Sequence, residues 1–255
     1  WDVATAGLPT SGEYRDVALG DIDNDGKPDL IAASGTAGVR AYRSLGYSGW
    51  SAFTPPTTIG AFRSVAVGDV DHDGKLDVLG GSAANGILVW LGIGGTGWTT
   101  AAQPMASGNV YGLAVGDINH DGWLDILAGT ITDGLLLWAG NGGSAWTPLP
   151  SPDSTSHFWH VDLGDFNNDG DLDILAADID RGVKVWAGDG GRSWRPCTTG
   201  LPITGSYSGA VWGHVDHDGA LDIVVGHSHG GGVQVYTAAE SSPPSGWSDF
   251  QPTSW

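Results

Sequence analysis

The sequence has few of the residues that cross-link a chain or give it positive charge. It contains one cysteine, Cys197, and its 10 lysines and arginines stand against 29 aspartates and glutamates, for a net charge of −19. A single cysteine excludes an internal disulfide and leaves the redox compartment open. An acidic chain without a basic stripe argues against nucleic acid as a partner, because phosphate binding needs clustered lysine or arginine.

Long apolar runs are also missing. No stretch approaches the roughly 20 residues that a membrane-spanning helix needs, so we expect no membrane insertion. The chain begins at Trp1 without an initiator methionine or a signal peptide, which is typical of a mature or trimmed chain. Its 255 residues suffice for one large all-β domain, and we predict a single domain over residues 1–255.

The sequence is rich in one acidic motif, which occurs five times. It reads GDIDNDGKPD, GDVDHDGKLD, GDINHDGWLD, GDFNNDGDLD and GHVDHDGALD. The first acidic position falls at residues 21, 69, 117 and 165, in steps of 48, and His214 takes that position in the fifth copy. A period of this length indicates a modular architecture, in which each unit stacks on its neighbours to bury its apolar face.

The spacing of oxygen-bearing side chains in this motif is that of a calcium loop. Asp21, Asp23 and Asp25 alternate, Gly26 permits a tight turn and Asp29 closes the loop, earlier than the glutamate of an EF-hand does. By analogy with other calcium loops, the backbone carbonyl of residue 27 is a further ligand. The predicted metal ligands are Asp21, Asp23, Asp25, Lys27 and Asp29; Asp69, Asp71, Asp73, Lys75 and Asp77; Asp117, Asn119, Asp121, Trp123 and Asp125; Asp165, Asn167, Asp169, Asp171 and Asp173; and Asp216, Asp218 and Asp222.

The chain's charge supports this interpretation. Seventeen of the acidic residues are proposed side-chain ligands, and carboxylates packed this closely repel one another unless a cation lies between them. Five divalent ions would reduce the net charge from −19 to −9. Because imidazole is a poor calcium ligand, we expect the loop with His214 to be weak or empty, so the chain binds four or five calcium ions.

Each unit reads as four short strands. In the second unit they are predicted over residues 63–68, 77–79, 87–91 and 98–101. The third strand recurs as VRAY, ILVW, LLLW, VKVW and VQVY, with the alternation typical of a strand that has two different faces. Four antiparallel strands per unit, repeated five times, predict an all-β fold, a five-bladed β-propeller of four-stranded antiparallel blades.

A tryptophan series follows the same period. Trp50, Trp98, Trp146 and Trp194 keep the 48-residue spacing, and we interpret them as packing between units rather than as sugar platforms. Residues 1–6 and 247–250 both look like outer strands, and one of them is surplus to a five-blade ring. The N-terminal segment either closes the ring beside the last blade or pairs elsewhere.

These residues resemble a known family. The segment VALGDIDNDGKPDLIAAS and its four near-copies are similar to the FG-GAP and VCBS-type repeats of integrin α-chain propellers and many secreted microbial proteins. The resemblance covers nearly the whole chain and implies calcium in the loop between the first and second strands of each blade. The literal Phe-Gly and Gly-Ala-Pro signatures are absent, and five repeats are fewer than the seven common in the family.

Because successive strands of a blade run in opposite directions, the first and third connections lie on one face of a propeller and the second and fourth on the other. The calcium loops and the glycine-rich third connections share one face, whereas the units differ on the other. On that divergent face, the predicted ligand-binding residues are Arg15, Arg63, Tyr111, Trp159 and His160. The fourth and fifth units concentrate ionisable groups there: His157, His160, Asp178, Asp180, Arg181, His227 and His229.

Three functions fit this pattern. The leading hypothesis is a non-catalytic binding module, lectin-like or adhesive, whose partner is a glycan or a cell-surface or extracellular protein. The alternatives are a polysaccharide lyase or hydrolase with a site on the fourth and fifth blades, and a protein-interaction scaffold. Loops with several carboxylates suit millimolar calcium, so we expect secretion.

Overall fold

The computed structural model describes residues 5–216, 218–238 and 251–253. These residues form twenty strands in five four-stranded antiparallel sheets. A single 3₁₀ turn, Gly46–Ser48, is the helical element of this part of the chain, and no helix in it is long and apolar enough to cross a membrane.

The strands follow one another in chain order within every sheet. The first sheet contains β1 Tyr14–Gly20, β2 Asp29–Ser34, β3 Gly38–Ser44 and β4 Trp50–Thr57. The second contains β5 Phe62–Gly68, β6 Asp77–Ser82, β7 Ile87–Gly92 and β8 Trp98–Thr100, and the third contains β9 Val110–Gly116, β10 Asp125–Thr130, β11 Leu135–Gly140 and β12 Trp146–Leu149. The fourth contains β13 Phe158–Gly164, β14 Asp173–Asp178, β15 Gly182–Gly188 and β16 Trp194–Pro196, and the fifth contains β17 Tyr207–Gly213, β18 Asp222–His227, β19 Val233–Thr237 and β20 Gln251–Thr253.

The four strands predicted for the second unit are confirmed, each to within a few residues. The alternation of the third strand is confirmed as well: Ile87 and Val89 are fully buried on one face, and Trp90 is buried on the other. Both faces of a sheet are therefore covered where it packs between neighbours, as stacked sheets require.

The described residues divide into two compact units, one within 1–115 and 140–147 and the other within 116–139 and 148–255. In the first unit, Ile31 and Val39 of the first sheet pack with Phe62, Val65 and Val78 of the second. In the second unit, residues of the fourth sheet such as Leu175 and Val185 pack with Tyr207 and Ile223 of the fifth. In both units the core therefore lies between consecutive sheets.

The tryptophan series joins consecutive sheets, so the packing interpretation is confirmed. The indole Nε1 of Trp98 donates to the backbone oxygen of Thr54 at 2.8 Å, and Trp194 donates in the same way to Pro150 at 2.9 Å. Trp146 makes the corresponding bond to Ala102 at 3.0 Å. Each indole thus satisfies its only donor on the outer strand or connection of the preceding unit.

The N-terminal segment lies beside the first sheet. The backbone N–H of Trp50 donates to the oxygen of Ala6 at 2.7 Å, and Ala6 stands 48 residues before Thr54, the acceptor of Trp98. Residues near Ala6 thus contact the outer strand of the first sheet, β4, through the backbone. Trp1 and residues 247–250 lie outside the described residues, and the outer strand of the fifth sheet is β20.

Candidate calcium-binding loops

The first connection of each sheet folds around its own carboxylates. Asp21 accepts the backbone N–H of Asp25 at 3.0 Å and that of Gly26 at 2.8 Å. Asn24 and Gly26 both have positive φ, 59° and 85°, a conformation that asparagine and glycine tolerate best. Asp69, Asp117 and Asp165 make the same two bonds in their loops. The alternating sequence therefore produces a recurring turn with its oxygens directed inward.

In the first, second and fifth loops the structure brings three predicted ligands together. One oxygen each of Asp21, Asp23 and Asp29 lie within 4.8 Å of one another, and the same holds for Asp69, Asp71 and Asp77. Such a group of hard, anionic oxygens fits calcium, which takes six to eight oxygen ligands in a flexible shell. The calcium interpretation thus agrees with the donor set of these loops.

The aspartate that closes each loop is completely buried. Asp77 accepts the backbone N–H of Val70 at 2.7 Å on one oxygen and that of Gly92, at the end of β7, at 2.8 Å on the other. Asp29, Asp173 and Asp222 tie their loops to the third strand or the residue just after it in the same manner. The closing aspartate is thus a predicted ligand that also links its loop to the end of the third strand. We call this second role, which sequence reasoning missed, a staple.

Burial also changes the proton affinity of these carboxylates. It raises the pKa of Asp77 to about 6 and that of Asp173 to about 7, although two backbone N–H donors oppose the shift in each case. Nearby loop carboxylates raise it further. A bound cation would favour the ionised form, so metal binding at these residues would be coupled to the fold.

The third acidic position turns away from the group. Asp25 pairs with the Lys27 ammonium at 2.6 Å, and Asp73 pairs with Lys75. The side-chain hydrogen bond from the lysine lowers the pKa of each aspartate. Ligation by these two carboxylates and by the carbonyl at position 27 or 75 stays a prediction.

Asparagine replaces the second acid in the third and fourth loops. The Asn119 amide Nδ2 donates to Asp121 Oδ2 at 3.0 Å, and the Asn167 amide donates to Asp169 Oδ2 at 2.8 Å. Each amide therefore satisfies one oxygen of the aspartate at the third acidic position, the position that pairs with lysine in the first two loops.

The fifth loop holds an imidazole in place of the first carboxylate. His214 Nδ1 lies 2.7 Å from the carbonyl oxygen of Ala220, the residue that corresponds to Lys27. The histidine thus engages the carbonyl that the calcium interpretation assigns to the ion. The three acids Asp216, Asp218 and Asp222 still lie within 4.8 Å of one another.

We expect the substitution His214→Asp to add one tightly bound calcium ion. The new carboxylate restores the fourth acid and releases the Ala220 carbonyl, and more charged ligands raise calcium affinity. Isothermal titration calorimetry should count four tight sites in the wild type and five in the variant. His72→Asp, at a fourth loop position, serves as the control for added charge alone. Five equally tight sites in the wild type would contradict this prediction.

Contacts between adjacent loops were not visible in the sequence. The Asn24 amide donates to the Gly74 carbonyl at 3.2 Å, and His120 Nε2 lies 2.7 Å from Asp171 Oδ1. The His120 side chain is half exposed but paired, and this hydrogen bond raises its pKa. Arg43 forms an ion pair with Asp23, twenty residues earlier, and no motif marked it.

The predicted sharing of one face by acidic and glycine-rich loops is confirmed within each unit. Gly95 packs against Asp23, and Gly191 packs against Asn119. At the other ends of the strands, the second connections meet the segments that precede the first strands: Ala83 donates its N–H to the Ala61 oxygen at 2.9 Å.

The candidate ligand residues lie on that second face, at an irregularity of the first strand. Between Phe62 and Ser64 the register of β5 shifts, so Arg63 is the extra residue of a β-bulge. Arg15, Trp159 and Ser208 occupy the same bulge position in β1, β13 and β17. Tyr111 stands at the corresponding repeat position in β9. We call Arg15, Arg63, Tyr111 and Trp159, with the adjacent His160, the bulge row.

Members of the bulge row have different surroundings. The Arg63 guanidinium lies over the Tyr111 ring, 4.1 Å from its centroid, whereas Arg15 pairs with Glu13 at 3.2 Å. Trp159 is 36% exposed, and His160 is half-buried.

The ionisable residues of the fourth and fifth units make several separate contacts. His157 Nδ1 lies 2.6 Å from Asp180 Oδ2, and buried Asp178 accepts the N–H of Asp180 and of Arg181 as the cap of its loop. The His227 ring packs on Tyr207 with centroids 4.0 Å apart. These contacts favour structural roles for these groups.

Comparison with known proteins agrees with this architecture. Residues 21–80, 69–128 and 165–225 match the FG-GAP-like repeat family. No curated protein is detectably similar to the chain. Two solved structures of BBS1N in complex with ARL6DN, soaked with mercury and with lead, superpose with a TM-score of 0.60 at 9% and 11% identity. The match covers 92% and 91% of this chain and 68% and 67% of those chains, and it shows the fold alone.

The matched repeats span more than half of the chain, and the structural neighbours are β-propellers. The chain therefore belongs to the FG-GAP-like repeat family and has the fold of an FG-GAP-repeat β-propeller.

Proposed function

We propose that this chain is a calcium-stabilised, five-bladed β-propeller that acts as a non-catalytic interaction module. The observation that carries the proposal is that one face is repetitive in sequence and the other is varied. The acidic loops repeat nearly unchanged on one face, whereas the bulge positions on the other carry arginine in the first two sheets and tyrosine, tryptophan and serine in the next three. A repeated scaffold with divergent display positions suits recognition rather than catalysis.

Apolar side chains of the first and fifth sheets that no sheet of their own compact unit covers support our proposal of a closed ring. Val17 of β1 is 58% exposed, whereas Val65, at the same position of β5, is 4% exposed. Val233 of β19 is 72% exposed, whereas Val183 of β15 is 1% exposed. Val17 belongs to the face that receives a preceding sheet, and Val233 to the face that receives a following one, so packing the first sheet on the fifth would cover both.

We expect Val17→Thr to destabilise the monomer by about 1–2 kcal/mol, because closure would bury the added hydroxyl. Val65→Thr, inside an existing core, is the positive control, and Tyr47→Ser, on a fully exposed loop, is the negative control. Urea unfolding and light scattering should be measured together. An unchanged free energy of unfolding would refute closure, and destabilisation confined to a dimer would assign the face to a second copy.

We further propose that the ligand is a protein and that the chain works outside the cell. The neighbour BBS1N was crystallised with a protein partner, ARL6DN. Tyr111 has one ring face covered by Arg63, which suits a polar protein contact better than sugar stacking. Loops with several carboxylates suit the millimolar calcium of extracellular fluids.

Glycan binding is the second candidate, and the exposed Trp159 ring favours it. Aromatic side chains offer apolar faces to sugar rings, and His160 follows directly in the strand.

One experiment tests both candidates. The protein, in calcium, is screened against a displayed random-peptide library and a glycan array. The test variant is Arg15→Ala, Arg63→Ala, Tyr111→Ala and Trp159→Ala combined, and the control is Leu45→Ser with Tyr47→Ser, exposed on the opposite face. We expect selected peptides to lose binding to the test variant only. Binding that survives in the test variant would contradict the proposed surface.

A further inference from the structure

We infer that Arg63, stacked on Tyr111, is a preformed receptor for a carboxylate of a protein partner. This inference rests on the proposed function and adds the chemistry of the contact. The Arg63 guanidinium carbon lies 4.1 Å from the centre of the Tyr111 ring. The two side chains come from corresponding positions of β5 and β9, 48 residues apart.

The guanidinium of Arg63 has one donor that no group in the described part of the protein satisfies. Its Nε is out of contact with water and has no hydrogen-bond partner. Among the described residues, no acid lies within ion-pair distance of Arg63, whereas Arg15 pairs with Glu13 and Arg43 pairs with Asp23. Although the chain has 29 acidic residues, none in the described ranges forms an ion pair with Arg63.

Stacking suits the Arg63 guanidinium to an anion. An aromatic ring that covers one face of a guanidinium restricts its rotation and leaves its in-plane N–H groups free of the ring. Those groups match the two oxygens of a carboxylate, which they bind in parallel. Because the ring has already ordered the arginine, binding costs less side-chain entropy than it would at a free arginine.

The bulge explains why Arg63 is positioned this way. At a β-bulge the extra residue is released from the regular alternation of the strand and its side chain is re-aimed. Phe62 and Ser64 on either side are both buried, so the backbone that carries Arg63 is held firmly. The receptor therefore stands on a rigid strand rather than on a mobile loop.

Long-range charge makes the site selective. A net charge of −19 repels anions at a distance, so a carboxylate binds only in close, geometrically matched contact. Calcium in the loops reduces this repulsion without touching Arg63. We therefore expect acidic side chains of a docked partner to bind at Arg63, and binding to strengthen when calcium is present.

The test uses N-acetyl-tetraglutamate amide as the probe and the tetraglutamine peptide as its neutral match. Binding to the full chain in calcium is measured by NMR of the arginine Nε–H signals and by calorimetry. We expect the Arg63 signal to shift with tetraglutamate only. Arg63→Gln should weaken binding by about tenfold, as the loss of a charged hydrogen-bonded pair requires, and Tyr111→Ala should weaken it less.

Arg192→Gln, an exposed arginine of the calcium-loop face, is the matched control and should leave the affinity unchanged. Arg63→Lys should recover only part of the affinity, because lysine keeps the charge but loses the planar fork. An unshifted Arg63 signal, equal affinity for both peptides or an unaffected Arg63→Gln variant would overturn the inference. Library peptides that still need the bulge row but carry no acid would refute the carboxylate receptor alone and leave the proposed function standing.

Discussion

In millimolar calcium the protein should melt more than about 10 °C higher than in EGTA. Each ion that binds only the folded state stabilises it by about 2.7 kcal/mol at a hundredfold excess over Kd. Two to four such sites provide about 5–11 kcal/mol, and 1 kcal/mol raises the midpoint of a chain this long by about 2–4 °C. The physical reason is the repulsion among gathered carboxylates such as Asp21, Asp23 and Asp29, which the ion removes.

Differential scanning calorimetry with calcium, magnesium and EGTA checks this result. Magnesium should give a smaller shift, because its demand for octahedral geometry fits a carboxylate-rich loop less well. Asp69→Ala should reduce the difference between the melting midpoints in calcium and in EGTA by about the contribution of one site. Equal midpoints in calcium and EGTA would show that the acidic loops are solvated turns.

Asp77→Ala should destabilise the protein by about 3–5 kcal/mol even without calcium. The substitution leaves the buried N–H groups of Val70 and Gly92 without an acceptor, and each loss costs about 1–3 kcal/mol. The small side chain also leaves a void in a fully buried position. Asp77→Asn, which keeps one acceptor oxygen, should lie between the wild type and the alanine variant.

Urea unfolding in EGTA measures this effect apart from metal binding. Asp73→Ala is the matched control, since that carboxylate is in the same loop but faces Lys75 near the surface. It should change stability little in EGTA while lowering calcium affinity. If both variants lost equal stability in EGTA, the closing aspartate would not act as a staple.

The sequence alone located the strands and the acidic loops. Both depend on neighbours along the chain: alternation every second residue defines a strand such as β7, and Asp21 needs only residues four and five positions ahead to form its turn. Forty-eight-residue spacing then placed Trp98 at the joint between units, because packing positions must recur wherever units repeat.

Tertiary structure decided which groups meet across the repeat. Asp77 accepts a hydrogen bond from the end of β7, Arg43 pairs with Asp23, and Arg63 stacks on Tyr111 of the neighbouring sheet. Arg63 and Tyr111 lie one repeat apart, but no motif predicts any of these three contacts, because each depends on how strands bend and how sheets stack. The bulge that re-aims Arg63 likewise follows from pairing between β5 and β6, which one strand's sequence does not contain. Local chemistry thus determined the acidic loops, whereas the staples behind them and the arginine on the opposite face arose only when the sheets came together.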